Sequence, residues 1–479
     1  MEKARFKVVI IGGSIAGLTL AHCLDRARID YIVLEKNHNI HPLVGGSIGL
    51  MPNGSRILAQ LGLYDQVERL TSPIKVCHMG FPDGFSFSDQ FPRKIHERQL
   101  ANRRERIGPN RFGFPIAILT RQQLIEVLYT ALSDKSKVKT GKKVVRIESE
   151  ERRITTWTED GSEYEGELVV GADGVHSVTR SEMWRAADNQ QPGFIQEEEK
   201  YSLSAEYSCI WGLSTPVPGI RQGEQIIRSY DRLTFLIFPG QNGCLGWFAI
   251  QKLNRKHVYP DICHFSQKDT LASCEALRDL SIWNDVKFGD LLTLTEVCAM
   301  TPLEENLFQT WNYGRILCIG DSISKLTPNI AQGANTAIEG AAAVANGLHQ
   351  LLHRNGLNQP SYDKIHEVLS RYSKSQRKRM KRLHWISHMV TRLQSREGLI
   401  NKFVGRYIYS HTGNSTFYLT GKMIAQGPVL NYLSTPKETD IGLRASFDQY
   451  GKDGGDMPWK TTIMFIALLT IVVLIYSFI

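Results

Sequence analysis

The residues best suited to chemistry fall in three short runs. The first, Gly12-Gly13-Ser14-Ile15-Ala16-Gly17, follows an apolar stretch and opens a helical pattern. A turn in that setting gathers backbone N–H groups and the positive end of a helix at one point, which suits a pyrophosphate. It departs from G-x-G-x-x-G at Ser14, where glycine usually allows the nearest backbone approach, so its context must support it. Glu35 ends the next strand-like run, where a carboxylate can accept both hydroxyls of a ribose; an ordinary surface glutamate is the other reading. The second run is Gly171-Ala172-Asp173-Gly174-Val175-His176-Ser177-Val178-Thr179-Arg180. The third is Gly320-Asp321-Ser322-Ile323-Ser324-Lys325-Leu326-Thr327-Pro328, followed by Gln332-Gly333-Ala334-Asn335.

Positioning these runs requires particular elements. Residues 6–11 read as a buried strand, 18–28 as a helix and 31–34 as a second strand, a β-α-β unit with the glycine turn at its bend. The first strand is continuously apolar, as a parallel strand covered on both faces should be. Residues 167–170 and 315–319 are further strand-like runs, each leading into one of the later motifs. Runs 233–238 and 244–250 flank Pro239-Gly240-Gln241-Asn242-Gly243, a hairpin signal in a β-rich middle region. Residues 332–352 and 372–393 have helical spacing, the latter with a basic bias.

Composition excludes little. The 479 residues carry a formal net charge of +9, with 42% hydrophobic and 22% charged residues. Such a chain is long enough for two or three domains. Its eight cysteines are scattered without C-x-x-C or zinc-like spacing, so they read as reduced thiols and no metal site is expected. The basic residues Arg371, Lys374, Arg377, Lys378, Arg379, Lys381 and Arg382 form either a solvated face or, with Trp385, Met389 and Leu393, a surface for anionic membrane. No aromatic-interleaved groove accompanies them, so nucleic acid is not an expected partner. Residues 461–479 are free of charge and follow Trp459 and Lys460, which reads as a C-terminal membrane anchor; a buried terminal helix is the alternative.

The run from Gly171 to Arg180 resembles the Asp-Gly motif of the group A flavoprotein monooxygenases, the p-hydroxybenzoate hydroxylase family, where it serves FAD and the transient nicotinamide site. The run from Gly320 resembles that family's Gly-Asp motif, whose aspartate binds the ribityl chain and whose next helix points its N-terminus at the flavin ring. Arg121, in Thr120-Arg121-Gln122-Gln123-Leu124, resembles the arginine that positions FAD; taken alone, a solvated helix arginine is the other reading. The resemblance covers about residues 6–350 and implies FAD contacts at Gly12, Gly13, Gly17, Glu35, Gly49, Arg121, Asp173, Asp321 and Ala334. Tyr207 resembles an active-site position and is the candidate catalytic residue, against the reading of a core tyrosine. Phe235, Phe238, Trp247 and Phe248 either line an apolar pocket or form ordinary core.

Within the family, the first turn, residues 320–335 and the C-terminal run most resemble fungal epoxidases of meroterpenoid and indole-diterpene biosynthesis. Ser324 stands where they usually carry histidine, Ala331 and Ala334 replace glycines, and the basic stretch 93–111 is longer than in those relatives. The resemblance implies a reaction using NADPH as transient electron donor, dioxygen and a prenylated aromatic, with epoxidation of a prenyl-chain alkene. Aromatic hydroxylation is the alternative chemistry. A non-catalytic prenyl-binding escort of the same fold, like the Rab GDP-dissociation inhibitors, is the alternative from another class. The expected fold is α/β: a Rossmann-like FAD-binding domain with an inserted β-rich substrate domain and a C-terminal transmembrane helix. Its expected divisions are 1–180 and 301–352 for the FAD-binding domain, 181–300 for the substrate domain, 353–445 helical, 446–460 a linker and 461–479 the anchor, with the catalytic body cytosolic.

Overall fold

The opening strand, Lys7–Ile11, lies at the centre of a six-stranded sheet, which is why its apolar run is buried on both faces. In this computed structural model, which describes residues 6–42, 45–90, 92–93, 113–354, 360–412 and 414–434, helix Ile15–Arg26 follows and strand Asp30–Leu34 returns in parallel. Across the sheet the order is Asn312–Tyr313, Ile316–Cys318, Leu168–Gly171, Lys7–Ile11, Asp30–Leu34 and Val138–Lys139. The three runs singled out in the sequence thus leave the same sheet edge. In open parallel sheets the carboxyl ends of the strands are where ligands bind.

A second, eight-stranded sheet contains the expected hairpin, Leu233–Pro239 with Leu245–Val258. Between them Asn242 and Gly243 adopt positive φ of 56° and 77°. The sheet also takes Val76–Gly80 and Ser86–Asp89 from outside residues 181–300, and its strand Thr295–Leu307 runs past the end of that range. Strand alternation gives it two apolar faces, one with Cys209, Leu236, Phe238 and Ile250, the other with Ile210, Phe235, Ile237 and Trp247.

Two helices connect these layers. Gly333–His349 packs on helix Ile15–Arg26 and the sheet through Ile338, Ala341, Ala342 and Ala345, mostly small side chains that permit close contact. Tyr362–Gln394 begins about three turns before the expected helical stretch, with Ser361 accepting from Lys364 N at its start. Six of the seven basic residues of the run, Arg371, Lys374, Arg377, Lys378, Lys381 and Arg382, are exposed, as a solvated face requires, and Arg379 turns inward. Arg379 pairs with buried Glu339, Arg377 donates to the Gln309 carbonyl and Arg382 to Gln426.

The membrane expectation is corrected. Among the described residues no helix is long and apolar enough to cross a membrane. The 33-residue helix Tyr362–Gln394 has the length, but its many cations and their polar partners exclude it from hydrocarbon. The proposed anchor at 461–479 and linker at 446–460 lie outside the described residues, as does nearly all of the 93–111 stretch. The transmembrane helix, the membrane partner and the membrane-anchored localisation are therefore withdrawn.

The second and third motifs are joined by a residue whose importance the sequence did not signal. Arg180 is 6% exposed; its Nη1 donates to the Ser322 carbonyl at 2.7 Å and its Nη2 to the Val175 carbonyl at 2.9 Å. Its guanidinium also lies 3.9 Å from the Phe308 ring centroid. Replacing Arg180 by Met keeps the stem but leaves the buried Ser322 carbonyl and the half-buried Val175 carbonyl without this donor. We expect Arg180→Met to lower unfolding free energy by roughly 2–4 kcal/mol. Urea denaturation checks this, and an unchanged midpoint would contradict the linkage.

Candidate functional site

One cavity of about 650 Å³ opens at the carboxyl ends of the parallel strands. Gly12, Ser14, Glu35, Gly49, Arg121, Asp173, Asp321 and Ala334 all line it, although they come from distant parts of the chain. Gly13 and Gly17 shape the turn from behind. Gly12 has φ +106°, and a Cβ there would stand 2.4 Å from the Ala172 carbonyl oxygen. At Gly17 a Cβ would meet the Gly12 carbonyl oxygen at 1.9 Å. Neither backbone group can move without disturbing the strand ends.

The carboxylate of Glu35 is 8% exposed and fixed from two sides. Its Oε2 accepts from Gly13 N at 2.7 Å, while Oε1 accepts from the backbone and side chain of Asn37 at 2.9 and 2.8 Å. Arg121 starts helix Arg121–Thr130 behind a capping box of Thr120 and Gln123, so its position is set by the backbone. Its Nη2 donates to Ser14 Oγ at 2.8 Å. Burial lowers the Arg121 pKa, and the charges of Asp321 and Glu35 oppose that shift. The arginine thus belongs to the cavity rather than to a solvated face.

The two motif aspartates differ. Asp173 Oδ1 accepts from Ser177 Oγ at 2.6 Å, and its Oδ2 from Thr179 N and Oγ1 at 2.9 and 3.0 Å, so it organises the start of helix Val178–Gln190. Asp321 Oδ2 accepts from Lys325 Nζ at 2.5 Å. Lys325, within the quoted motif but not singled out, also lines the cavity, and the Asp321 charge raises its pKa.

Helix Gly333–His349 begins without a side-chain cap, and Gly333, Ala334 and Ala337 line the cavity. Its orphan N–H groups and positive dipole end suit an electron-rich ligand edge. Asn335 fixes this end: Oδ1 accepts from Met51 N at 3.0 Å, and Nδ2 donates to the Gly49 and Ala331 carbonyls at 2.8 and 2.6 Å. Ser324, the departure from histidine, is 5% exposed, and its Oγ has no hydrogen-bond partner among the described residues.

The far wall is apolar, built from Ile118, Cys209, Trp211, Phe238, Phe248 and Leu303. Phe235 and Trp247 pack on the opposite face of the sheet against Phe288, so the aromatics divide between pocket and core. Tyr207 is on the cavity-side face of its strand but does not line the cavity. Fully buried, its hydroxyl donates to Glu397 and bonds Ser395 Oγ at 3.1 Å. Burial, reinforced by the Glu397 carboxylate, pushes its pKa well above the ordinary tyrosine range.

The FAD-binding domain family matches residues 5–361 of the chain. The chain is 96% identical over 381 residues to FAD-dependent monooxygenase verC2 of Penicillium polonicum, covering 80% of this chain and 99% of that protein. It is 46% identical to FAD-dependent monooxygenase nvfK of Aspergillus novofumigatus, covering 91% of this chain and 90% of the relative. This chain belongs to the FAD-dependent monooxygenases. Klebsiella pneumoniae HpxO, solved with FAD and uric acid, shares the fold at 20% identity with a TM-score of 0.69, over 88% of this chain and 97% of that one. CtdE, solved with FAD and a substrate, does so at 16% identity and 0.63, over 88% and 99%.

FAD is the cofactor of this family, and the residues present fit it. The cavity volume falls in the range of small-molecule sites, the Gly12 turn has no room for a side chain, and an uncapped helix end supplies free donors.

Both alanine departures lie in the cavity wall, and one of them explains Gly49. Ala331 sits in the left-handed region at φ 51° and ψ 33°, and a Cβ on Gly49 would lie 2.6 Å from its methyl carbon. The strained alanine therefore makes a glycine necessary opposite it. Gly49→Ala should destabilise by about 1–3 kcal/mol through overpacking. Ala331→Gly should recover part of that loss in the double variant, because it removes the struck methyl and left-handed strain of about 1–2 kcal/mol. Thermal unfolding of all four proteins gives the coupling, and strict additivity would refute the steric account.

Proposed function

We propose that this monooxygenase epoxidises an alkene in the prenyl chain of a prenylated aromatic, using NADPH and dioxygen, and that the terminal alkene is the one attacked. The observation that carries this reading is the joining of the apolar wall to the flavin motifs in one cavity. Ile118, Trp211, Phe238, Phe248 and Leu303 suit an isoprenoid chain, while Glu35, Arg121 and Asp321 crowd the other part. His176 also lines the cavity, with Glu304 3.3 Å away, but on the strands that build the apolar wall the polar lining residues, among the described residues, are Cys209 and Thr301. Neither supplies a base to deprotonate a phenol at neutral pH, and burial pushes the Cys209 thiol further up. An alkene needs no such base.

When bound, FAD supplies reduction by the nicotinamide donor and activation of dioxygen. The chain's own residues bind, orient and exclude water. In this proposal Glu35 holds the ribose and Asp321 the ribityl hydroxyls, with Arg121 between their charges. The first turn of Gly333–His349, including Ala334, faces the pyrimidine edge, and the apolar wall keeps the alkene dry. Gly12, Gly13 and Gly17 hold the pyrophosphate turn open, and Asp173 and Gly49 shape the adjoining wall. Tyr207 acts through Glu397 by fixing the floor beneath Cys209 and Trp211.

Asp321→Ala should weaken FAD binding by about 1.5–3 kcal/mol, the usual worth of a hydrogen bond to a charged group. Glu35→Ala should have a smaller effect. Flavin retained per folded chain at limiting FAD measures both, and wild-type retention in both variants would overturn these roles. The reaction itself is tested by supplying a farnesylated or geranylgeranylated aromatic with NADPH and oxygen. An epoxide on the prenyl chain by mass and NMR supports the reading. Oxygen on the aromatic ring would replace it with hydroxylation.

A further inference from the structure

The helix whose uncapped end faces the flavin site carries a carboxylate that belongs to no motif. Glu339 is 1% exposed and lies six residues beyond Gly333, about 9 Å along the axis at the usual helical rise. Arg379, from the long basic helix, binds it with both arms: Nε to Oε2 at 2.7 Å and Nη2 to Oε1 at 2.8 Å. Asn53 joins this pair to the helix start, its Nδ2 donating to Glu339 Oε1 at 2.7 Å and to Gln332 Oε1 at 3.0 Å. Arg56 approaches from helix Pro52–Leu61, since a Cβ on Gly427 would strike both Glu339 Oε1 and Arg56 Nη2, at 2.0 and 2.8 Å. Asn53 and Gln332 are fully buried.

We propose that the Glu339–Arg379 pair sets the electrostatic potential at the start of the flavin helix and so tunes how readily bound FAD is reduced. A buried negative charge within two turns of the helix start opposes the positive end that favours a negatively charged flavin. Arg379 cancels that charge from the side. NADPH transfers a hydride to FAD, giving NADP⁺ and a reduced flavin that carries one negative charge, so the charge at this helix enters the equilibrium directly. The Asn53–Gln332 link holds the charged pair and the helix start in one rigid body.

The proposal predicts shifts of opposite sign, which a merely structural role would not produce. Arg379→Met leaves Glu339 less compensated and should lower the reduced-to-oxidised ratio of bound FAD at fixed poise. Glu339→Gln leaves Arg379 uncompensated and should raise it. Coulomb's law over such a separation, at an effective protein dielectric of about 20, makes each shift roughly tenfold. The double variant should return near the wild-type ratio. Arg379→Lys, which keeps the charge and loses the two-armed geometry, should stay near it too.

The measurement is anaerobic equilibration of each FAD-loaded protein with a redox dye of known potential, read by flavin absorbance. If Arg379→Met fails to retain FAD, Glu339→Gln and Arg379→Lys still decide by the contrast between them. Shifts of the same sign, or no shift in Glu339→Gln, would overturn the proposal. Failure to bind FAD in the unmutated protein would instead overturn the cofactor assignment beneath it.

Discussion

The site depends on one close approach of backbone to backbone, the passage of the Gly12 turn beneath the Ala172 carbonyl. No side chain fits at Gly12 or Gly17, so two adjacent parallel strands can end together and release their loops into the same space. Ile319 N donates to the Gly171 carbonyl at 2.8 Å, which brings the third strand end to that point. The cavity is the gap these three turns leave. Its polar side chains are positioned by the backbone that makes the gap, so cofactor geometry and fold stability share one origin.

Around that point the structure substitutes buried polar links for a wider apolar core. Thr327 Oγ1 lies 2.6 Å from both Ser387 Oγ and Thr391 Oγ1, seating the long helix on the third motif. Arg392 meets Glu305 and Glu206, and Glu397 meets Lys252 and Tyr207, closing the same helix end against the eight-stranded sheet. Buried charges are tolerated only when paired and hydrogen-bonded. Here Arg379 with Glu339 and Arg392 with Glu305 are the buried pairs, while most of the helix's other cations stay exposed.

Much of the cofactor half was legible from sequence because its determinants are local. The β-α-β unit, the Asn-Gly hairpin and the helix after the third motif each follow from spacing within a few tens of residues, and they form near the expected bounds. What escaped notice depends on long-range partners. Arg379 looked like one member of a charge run until Glu339, forty residues earlier, was brought beside it. Tyr207 read either as an active-site or as a core tyrosine, and only the fold brings Glu397, 190 residues later, to its hydroxyl. Arg180 sat in plain view at the end of a quoted motif, but only the fold shows that it grips Ser322. The membrane reading rested on an uncharged run, the flanking Trp459 and Lys460 and a basic stretch, and among the described residues no helix is long and apolar enough to cross a membrane.

The central claim is that the three converging turns hold one FAD, and the flavin content of the purified chain tests it most directly. Visible absorbance, set against protein concentration after equilibration with FAD and removal of excess, gives the ratio. The account predicts a yellow protein approaching one FAD per folded chain. A folded chain that stays colourless after exposure to FAD would contradict it.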